Sequence, residues 1–233
     1  MSNQVIQNIL DIVRMDVAAL GIPMRRLDSI TPPENMCFSF GLVGSTRSGK
    51  SCAMLWIWDK WFKENHITIM TTGSSQADIY KPLQGKAAVS PAFYSDVIKE
   101  TMLLNQKTKN KYKFLHIFDD MLDGKQSKSL AKLLCIGRNN GLSTIISGQE
   151  LTILNSVGRT NLNYMCLFRL NSQLSVEKVV RAYLTHVIPG KNIEEKCKIY
   201  TDLTQDHYFF CCDFLQNEVF LCKLDISEIP GMA

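Results

Sequence analysis

The stretch that most restricts this chain is "GSTRSGKS", residues 44–51, with two glycines and three serines in eight positions. It fits G-x-x-x-x-G-K-[ST], a loop whose successive backbone N–H groups turn into one concavity that can hold phosphate. Gly44 and Gly49 are expected to adopt backbone angles that a side chain forbids. Lys50 is expected to reach the outer phosphates and Ser51 to offer its hydroxyl to Mg²⁺, at the positive end of a helix starting near Gly49. The candidate nucleotide-binding set is Gly44, Ser45, Thr46, Arg47, Ser48, Gly49, Lys50, Ser51 and Cys52. The flanks agree: "MCFSFGLV" before the loop is a short apolar run of the buried-strand kind, and "SCAMLWIWDKWFKEN" after it has helical patterning.

A phosphate loop of this kind needs a carboxylate at the end of a buried strand to order the metal shell. "KYKFLHIFDD", residues 111–120, offers one, because two carboxylates ending an apolar strand would be costly without a cation or water to satisfy them. Asp119 is assigned to the Mg²⁺ shell, together with Ser51, and Asp120 to polarising the attacking water. "GLSTIISGQE", residues 141–150, reads as the next strand, with Gln149 at its C-terminal end placed to meet a γ-phosphate or a bound water. A polar strand-to-loop transition is the plainer account of Gln149 taken alone.

Composition bounds the rest. With 233 residues, 45% hydrophobic and 21% charged, the chain is long enough for a sheet between two helical layers and is not of a disordered type. The net charge of +4 permits a nucleic-acid partner without demanding one. None of the eight cysteines forms a C-x-x-C pair, and most lie in apolar runs such as "FFCCDF", so they read as small hydrophobes in a reducing compartment, cytosolic or nuclear. No apolar run approaches the ~20 residues that cross a bilayer, and the first residues lack the layout of a secretory signal.

Together these motifs resemble the viral genome-packaging ATPases of the FtsK–HerA superfamily, as found in large DNA viruses and virophages. The resemblance rests on "GSTRSGKS", on "HIFDD" and on "GRNNGLSTIISGQ" (residues 137–149), with "VGRTNLNYMCLF" (residues 157–168) as a weaker fourth element. It implies an α/β fold of the P-loop NTPase type, a three-layer sandwich with a mainly parallel sheet of the additional-strand, RecA/FtsK-like kind. In that fold the Gln149 strand lies between the Gly44 and Asp119 strands. It also implies an ATP- and Mg²⁺-dependent enzyme that translocates double-stranded DNA, packaging a viral genome into a preformed capsid. The implied assembly is a homo-oligomeric ring with nucleotide at its interfaces, and Arg138 or Arg159 reaching a neighbour's γ-phosphate. Capsid vertex proteins are the implied partners, and the host cytoplasm, viral factory or virion the implied location. Two positions depart from the pattern: Asp120 stands where cellular members carry Glu, and Asn139 where many relatives carry His.

The remaining chain reads as residues 1–35, a helical segment packed on the core, and 36–233, the ATPase domain. Within the latter are a strand at 66–72, a helix from about 90 to 105, a strand at 164–170, a helix capped by Ser175, and a β-hairpin near 207–225. Lys99, Lys107, Lys109, Lys111 and Lys113 form one basic set facing only Glu100, and Lys125, Lys128 and Lys132 a second at helical spacing. Either set is a solvated surface or a phosphate-contacting face. Trp56, Trp58 and Trp61 are expected to pack in the core. Two other function classes fit a phosphate loop. A small P-loop kinase would want an arginine-rich lid, for which "SSQADIYKPLQGK" is poor, and a GTPase-like switch a base-reading N/T-K-x-D motif, which the chain does not supply. A nucleotide-binding structural or assembly protein of the capsid is the non-enzymatic alternative.

Overall fold

The computed structural model describes residues 17, 19–32, 37–120, 128–153 and 156–231. Eight strands form one sheet: β1 (Ser39–Val43), β2 (Ile67–Thr72), β3 (Ala87–Ser90), β4 (Phe114–Asp119), β5 (Leu142–Gly148), β6 (Tyr164–Leu167), β7 (Tyr208–Asp213) and β8 (Glu218–Lys223). Their spatial order is β3-β2-β4-β5-β1-β6-β7-β8. The first six run parallel and the last two antiparallel. β5 therefore lies between β1 and β4, the inserted-strand arrangement expected from the resemblance.

Strands buried on both faces send alternate side chains to opposite layers. Phe209 and Cys211 point into one core with Phe40, Leu42, Leu115 and Ile117, while Phe210 and Cys212 join Val43, Phe118, Ile146 and Leu167 in the other. The first core is closed by α1 (Lys50–Ile57), which continues as a π-helical stretch, Trp58–Phe62. The second is closed by α2 (Ser95–Lys107), α3 (Lys128–Ile136), α5 (Gln173–Val179) and α6 (Ile193–Leu203); a short helix, α4 (Ser156–Thr160), leads into β6. Trp56 and Trp58 are buried, and the half-buried Trp61 stacks on Phe40 at 5.6 Å, so the tryptophans do pack.

Several elements differ from the sequence reading. β3 occupies Ala87–Ser90, so the following helix starts at Ser95 and extends to Lys107. α6, which the sequence reading did not place, is capped by Asn192, whose side chain accepts from the Glu195 N–H. The cap of α5 is Ser172, which accepts from the Ser175 N–H; Ser175 lies inside the helix. The expected hairpin is present as β7 and β8. Of the helical segment read into residues 1–35, residues 1–16, 18 and 33–35 lie outside the described residues, and Leu27–Ser29 form a 3₁₀ turn. Residues 23–25 lie along β8 through two backbone hydrogen bonds with Leu221 (2.8 and 3.0 Å), and Ile22, Leu27 and Ile30 are buried. Among the described residues no helix is long and apolar enough to cross a membrane.

Candidate nucleotide-binding site

Every parallel strand delivers its C-terminal end to one edge of the sheet, and the phosphate loop springs from that edge at the end of β1. Its two ends are tied to neighbouring strands. Gly44 N–H donates to the Gly148 carbonyl at the end of β5 (3.0 Å), and Ser45 N–H donates to the Arg169 carbonyl beyond β6 (2.8 Å). The Ser45 hydroxyl accepts from Asn171 N–H (2.8 Å). Gly49 has φ +101° and needs glycine for its backbone, as expected. Gly44 needs it for a different reason. Its φ is not positive, but a Cβ there would lie 2.5 Å from Phe168 Cβ, so close packing and not backbone freedom excludes a side chain. Arg47 adopts the left-handed region (φ +61°) at the loop's turn.

Two side chains of the loop are prepared for an anion. Lys50 is buried, and its ammonium donates to the Ser45 carbonyl at 2.9 Å. Burial lowers its pKa, while Asp120 and Asp119 oppose that shift. The Ser48 hydroxyl is buried and finds no hydrogen-bond partner among the described residues, a state that costs free energy until a ligand oxygen meets it.

Asp119, at the end of β4, is 1% exposed and surrounded by hydroxyls. Ser51 donates to Oδ2 at 3.3 Å, Tyr80 also donates to Oδ2, and Ser147 on β5 donates to Oδ1. Burial together with the Asp119 charge pushes the Tyr80 phenol above its usual pKa and keeps it a donor. One carboxylate and one hydroxyl side by side suit Mg²⁺, which takes few protein oxygens and draws the rest from phosphates and water. Asp120 turns out of the strand through a left-handed φ of +48° and lines the cavity beside the loop.

That cavity, about 290 Å³, has a lining of two kinds. One is the loop from Thr46 to Ser51 with Asp120. The other is formed by Cys52, Ile79, Phe168, His207, Leu224 and Ile229. Of the positions singled out in the sequence, the structure brings together Gly44–Cys52, Asp119 and Asp120. Gln149 directly follows β5, is exposed, and is not among the residues lining the cavity.

The two arginines lie elsewhere. Arg138 sits in a 3₁₀ turn, Arg138–Asn140, just before β5, at the opposite edge of the sheet. The seven-residue β5 separates it from the loop by about 20 Å, so Arg138 cannot serve the site of its own chain. Arg159, on α4, donates from Nη1 to the Leu151 carbonyl at 3.4 Å.

Sequence reasoning missed Tyr80, Ser147, Phe168, His207, Leu224 and Ile229 as parts of the site. Each comes from a segment distant in sequence from the loop; Ser147 and Phe168 lie within motifs quoted above, residues 137–149 and 157–168, but neither was singled out.

A profile of the family described as Poxvirus A32 protein matches residues 34–222. No curated protein matches the chain by sequence. Among solved structures, the genome packaging NTPase B204 of Sulfolobus turreted icosahedral virus 2, in complex with sulfate, superposes with TM-score 0.60 at 16% identity, covering 81% of this chain and 97% of that one. The same protein in complex with AMPPCP gives 0.56 at 15% identity, covering 81% and 98%. The pCW3 conjugation coupling protein TcpA, a monomer form with ATPgS, gives 0.60 at 14%, covering 86% of this chain and 64% of that one. These likenesses establish a shared fold.

Proposed function

The chain belongs to the poxvirus A32 protein family, and from that premise we propose that it is a Mg²⁺-dependent ATPase that drives double-stranded DNA into a viral capsid. The observation that carries the reading is the coincidence, at one sheet edge, of an anion-ready loop and a hydroxyl-held carboxylate: Lys50 and the unpartnered Ser48 hydroxyl beside Ser51 and Asp119. Bound Mg²⁺ would supply positive charge to offset the negative charge of the triphosphate. Ser51 and Asp119 are the residues to hold it.

The chain's own groups do the rest. The loop N–H groups and Lys50 position the triphosphate and neutralise charge that builds on the transferring phosphoryl group. Asp120, facing the same cavity, orients the attacking water and accepts its proton. Among the described residues no arginine lines this cavity except Arg47 of the loop itself, so in this reading the further positive charge comes from a neighbouring subunit in a ring. Arg138 is the better donor, because it is presented at the far edge of the sheet, whereas Arg159 is engaged by its own chain. The partners in this reading are double-stranded DNA, further copies of the chain and capsid vertex proteins, in the host cytoplasm or viral factory.

The test is steady-state ATP hydrolysis across a protein concentration series, with and without double-stranded DNA, alongside Lys50→Ala. Turnover that rises faster than linearly with protein, increases with DNA and vanishes in the variant is expected. Turnover proportional to protein and indifferent to DNA would replace the motor with a monomeric P-loop enzyme. ATP binding without turnover under every condition would favour a capsid assembly protein.

A further inference from the structure

The phosphate loop accounts for one part of the cavity lining and leaves the rest unexplained. That remainder combines a strained turn and a clamped strap. The turn entering β7 places two consecutive non-glycine residues, Asp206 and His207, in the left-handed region (φ +50° and +65°). Such strain is held in place only where the surroundings fix it, and it gathers at binding sites. The turn is closed by Tyr208 N–H donating to the Gln205 carbonyl at 3.0 Å. It sets the His207 ring over the loop, with Nδ1 3.4 Å from where a Cβ on Gly49 would lie.

The chain after β8 forms a strap whose Leu224 and Ile229 also line the cavity. The strap is clamped by Glu228, which accepts from Trp56 Nε1 on α1 (3.2 Å) and from Arg26 Nη2 (2.6 Å). Ile229 is buried against the same core as Trp56 and Tyr80. The strap lies beyond the residues that the family profile matches. A largely apolar lining that includes the His207 and Phe168 rings and is continuous with a phosphate loop has the chemistry of a base next to a triphosphate.

We propose that His207, Leu224 and Ile229 form the seat of the nucleobase, so that recognition of the nucleoside resides in the β7 turn and the strap and not in the phosphate loop. This rests on the nucleotide reading above. The seat holds the base by ring stacking and apolar contact. Removing the His207 ring therefore weakens nucleoside triphosphates and leaves a bare triphosphate untouched. The clamp gives the strap a second role: a base in the seat packs against residues whose position Trp56 and Arg26 fix, coupling nucleotide occupancy to the order of the strap.

The experiment is a binding titration of the full chain with Mg²⁺, using ATP and inorganic tripolyphosphate as probes, on the wild type, His207→Ala and Leu224→Ala. The expected result is an ATP affinity about tenfold weaker in His207→Ala, the loss typical of removing one ring from a base, and a smaller loss in Leu224→Ala. Tripolyphosphate affinity stays at the wild-type value in both. Equal weakening of both probes would show a distorted loop and overturn the seat, as would no change in either. A wild type that binds tripolyphosphate and ATP equally well overturns the seat but leaves the phosphate loop standing. A wild type that binds neither overturns the nucleotide reading and the seat with it.

Discussion

At the C-terminal edge of the sheet the chain bends tightly around Gly44 and Gly49, buries a lysine and a carboxylate, and leaves the Ser48 hydroxyl unpartnered beside a cavity. The N-terminal edge of the same strands is built the other way, with its polar backbone satisfied from within. Asn105, fully buried, donates to the Tyr112 carbonyl (2.8 Å) and to the Asn140 carbonyl (2.7 Å), and Asn110 donates to the Asn139 carbonyl (3.0 Å). Gly137 and Gly141 are needed there because a Cβ would meet Leu133 O at 2.3 Å and Asn105 Nδ2 at 2.7 Å. This closed lattice leaves Lys107, Lys109 and Lys111 exposed and Arg138 half-buried. One edge stores unmet polar capacity beside a cavity; the other spends its backbone polar groups on rigidity to display charge, and its one unpartnered buried atom among the described residues, His66 Nδ1, just before β2, lines no part of that cavity. We propose that the first edge carries the phosphate chemistry and the second the contacts with neighbouring copies and nucleic acid.

If that division is right, damage to the two edges should produce separable defects. The largest belongs to the loop. Lys50→Ala should cut ATP turnover by about a thousandfold or more, since charge neutralisation is most of phosphoryl-transfer catalysis. Its DNA affinity should hardly change. Steady-state hydrolysis and a DNA-binding titration on one preparation check both, and a parallel loss of DNA binding would break the division.

Next comes the far edge acting on a neighbour. Arg138→Ala should lower turnover by about a thousandfold, the scale of a lost arginine supplied in trans, with nucleotide binding kept. Mixing it with Lys50→Ala should then restore part of the activity, because each variant supplies what the other lacks. Mixtures that stay silent while both proteins bind nucleotide and assemble would remove Arg138 from this role, and the same mixing with Arg159→Ala decides the alternative.

How much of this contrast could be read from the amino-acid order differs by edge. The loop, β1, β4 and β5 were legible because a short contiguous pattern specifies each of them, down to the paired Asp119 and Asp120. The rest of the site was not, since Tyr80, His207 and Ile229 reach it through packing of segments whose local sequence carries no signature. β3 was missed because "AAVS" is short and only partly buried. At the far edge the lysines were visible but their environment was not. Lys99 was grouped with them, yet it pairs with Asp96 at 2.6 Å on the exposed side of α2. Lys125 lies outside the described residues, and Lys128 and Lys132 are exposed on α3.

Midway along β4, between the edges, His116 offers a control that should injure both equally. It is 2% exposed, its Nε2 lies 3.0 Å from Thr101 Oγ1, and burial lowers its pKa to about 4. Its neutral form is the one the fold accommodates. The stability it contributes is complete above about pH 6.5 and falls away as pH drops toward 4, by about 3 kcal/mol, or on the order of a hundredfold in the folding equilibrium. His66, also lowered to about 4 by burial and by Lys113, adds to the slope. Urea melts at pH 7.5 and 5 should show a shallower acid loss in His116→Leu, in which Thr101 keeps its Val97 carbonyl acceptor at 2.9 Å. An unchanged acid slope would place the titration elsewhere.

A smaller effect isolates the displayed charges. Replacing Lys107, Lys109 and Lys111 together by Gln should weaken double-stranded DNA binding by about tenfold at moderate salt and flatten its salt dependence, with ATP affinity unchanged. Each neutralised phosphate contact takes roughly 0.9 from the slope of log affinity against log salt. A slope identical to the wild type would make this edge a plain solvated surface.

The smallest effect lies at the metal end of the site edge. Tyr80 and Ser51 both donate to Oδ2 of Asp119. The phenol comes from the 3₁₀ segment Asp78–Leu83 after β2, not from the loop or from β4. In the absence of a cation its hydrogen bond lowers the cost of burying the carboxylate, and it therefore competes with Mg²⁺ for the same oxygen. Tyr80→Phe removes that competition and leaves the Ser51 and Ser147 donors in place. The half-saturating Mg²⁺ concentration for hydrolysis should fall by about threefold, within what one hydrogen bond to a charged group can supply. A Mg²⁺ titration of turnover at saturating ATP reads it directly. A rise instead would mean that Tyr80 holds Asp119 in its working orientation. The site edge would then depend on a support built into the fold, as the far edge does, and the contrast between the edges would narrow to the loop alone.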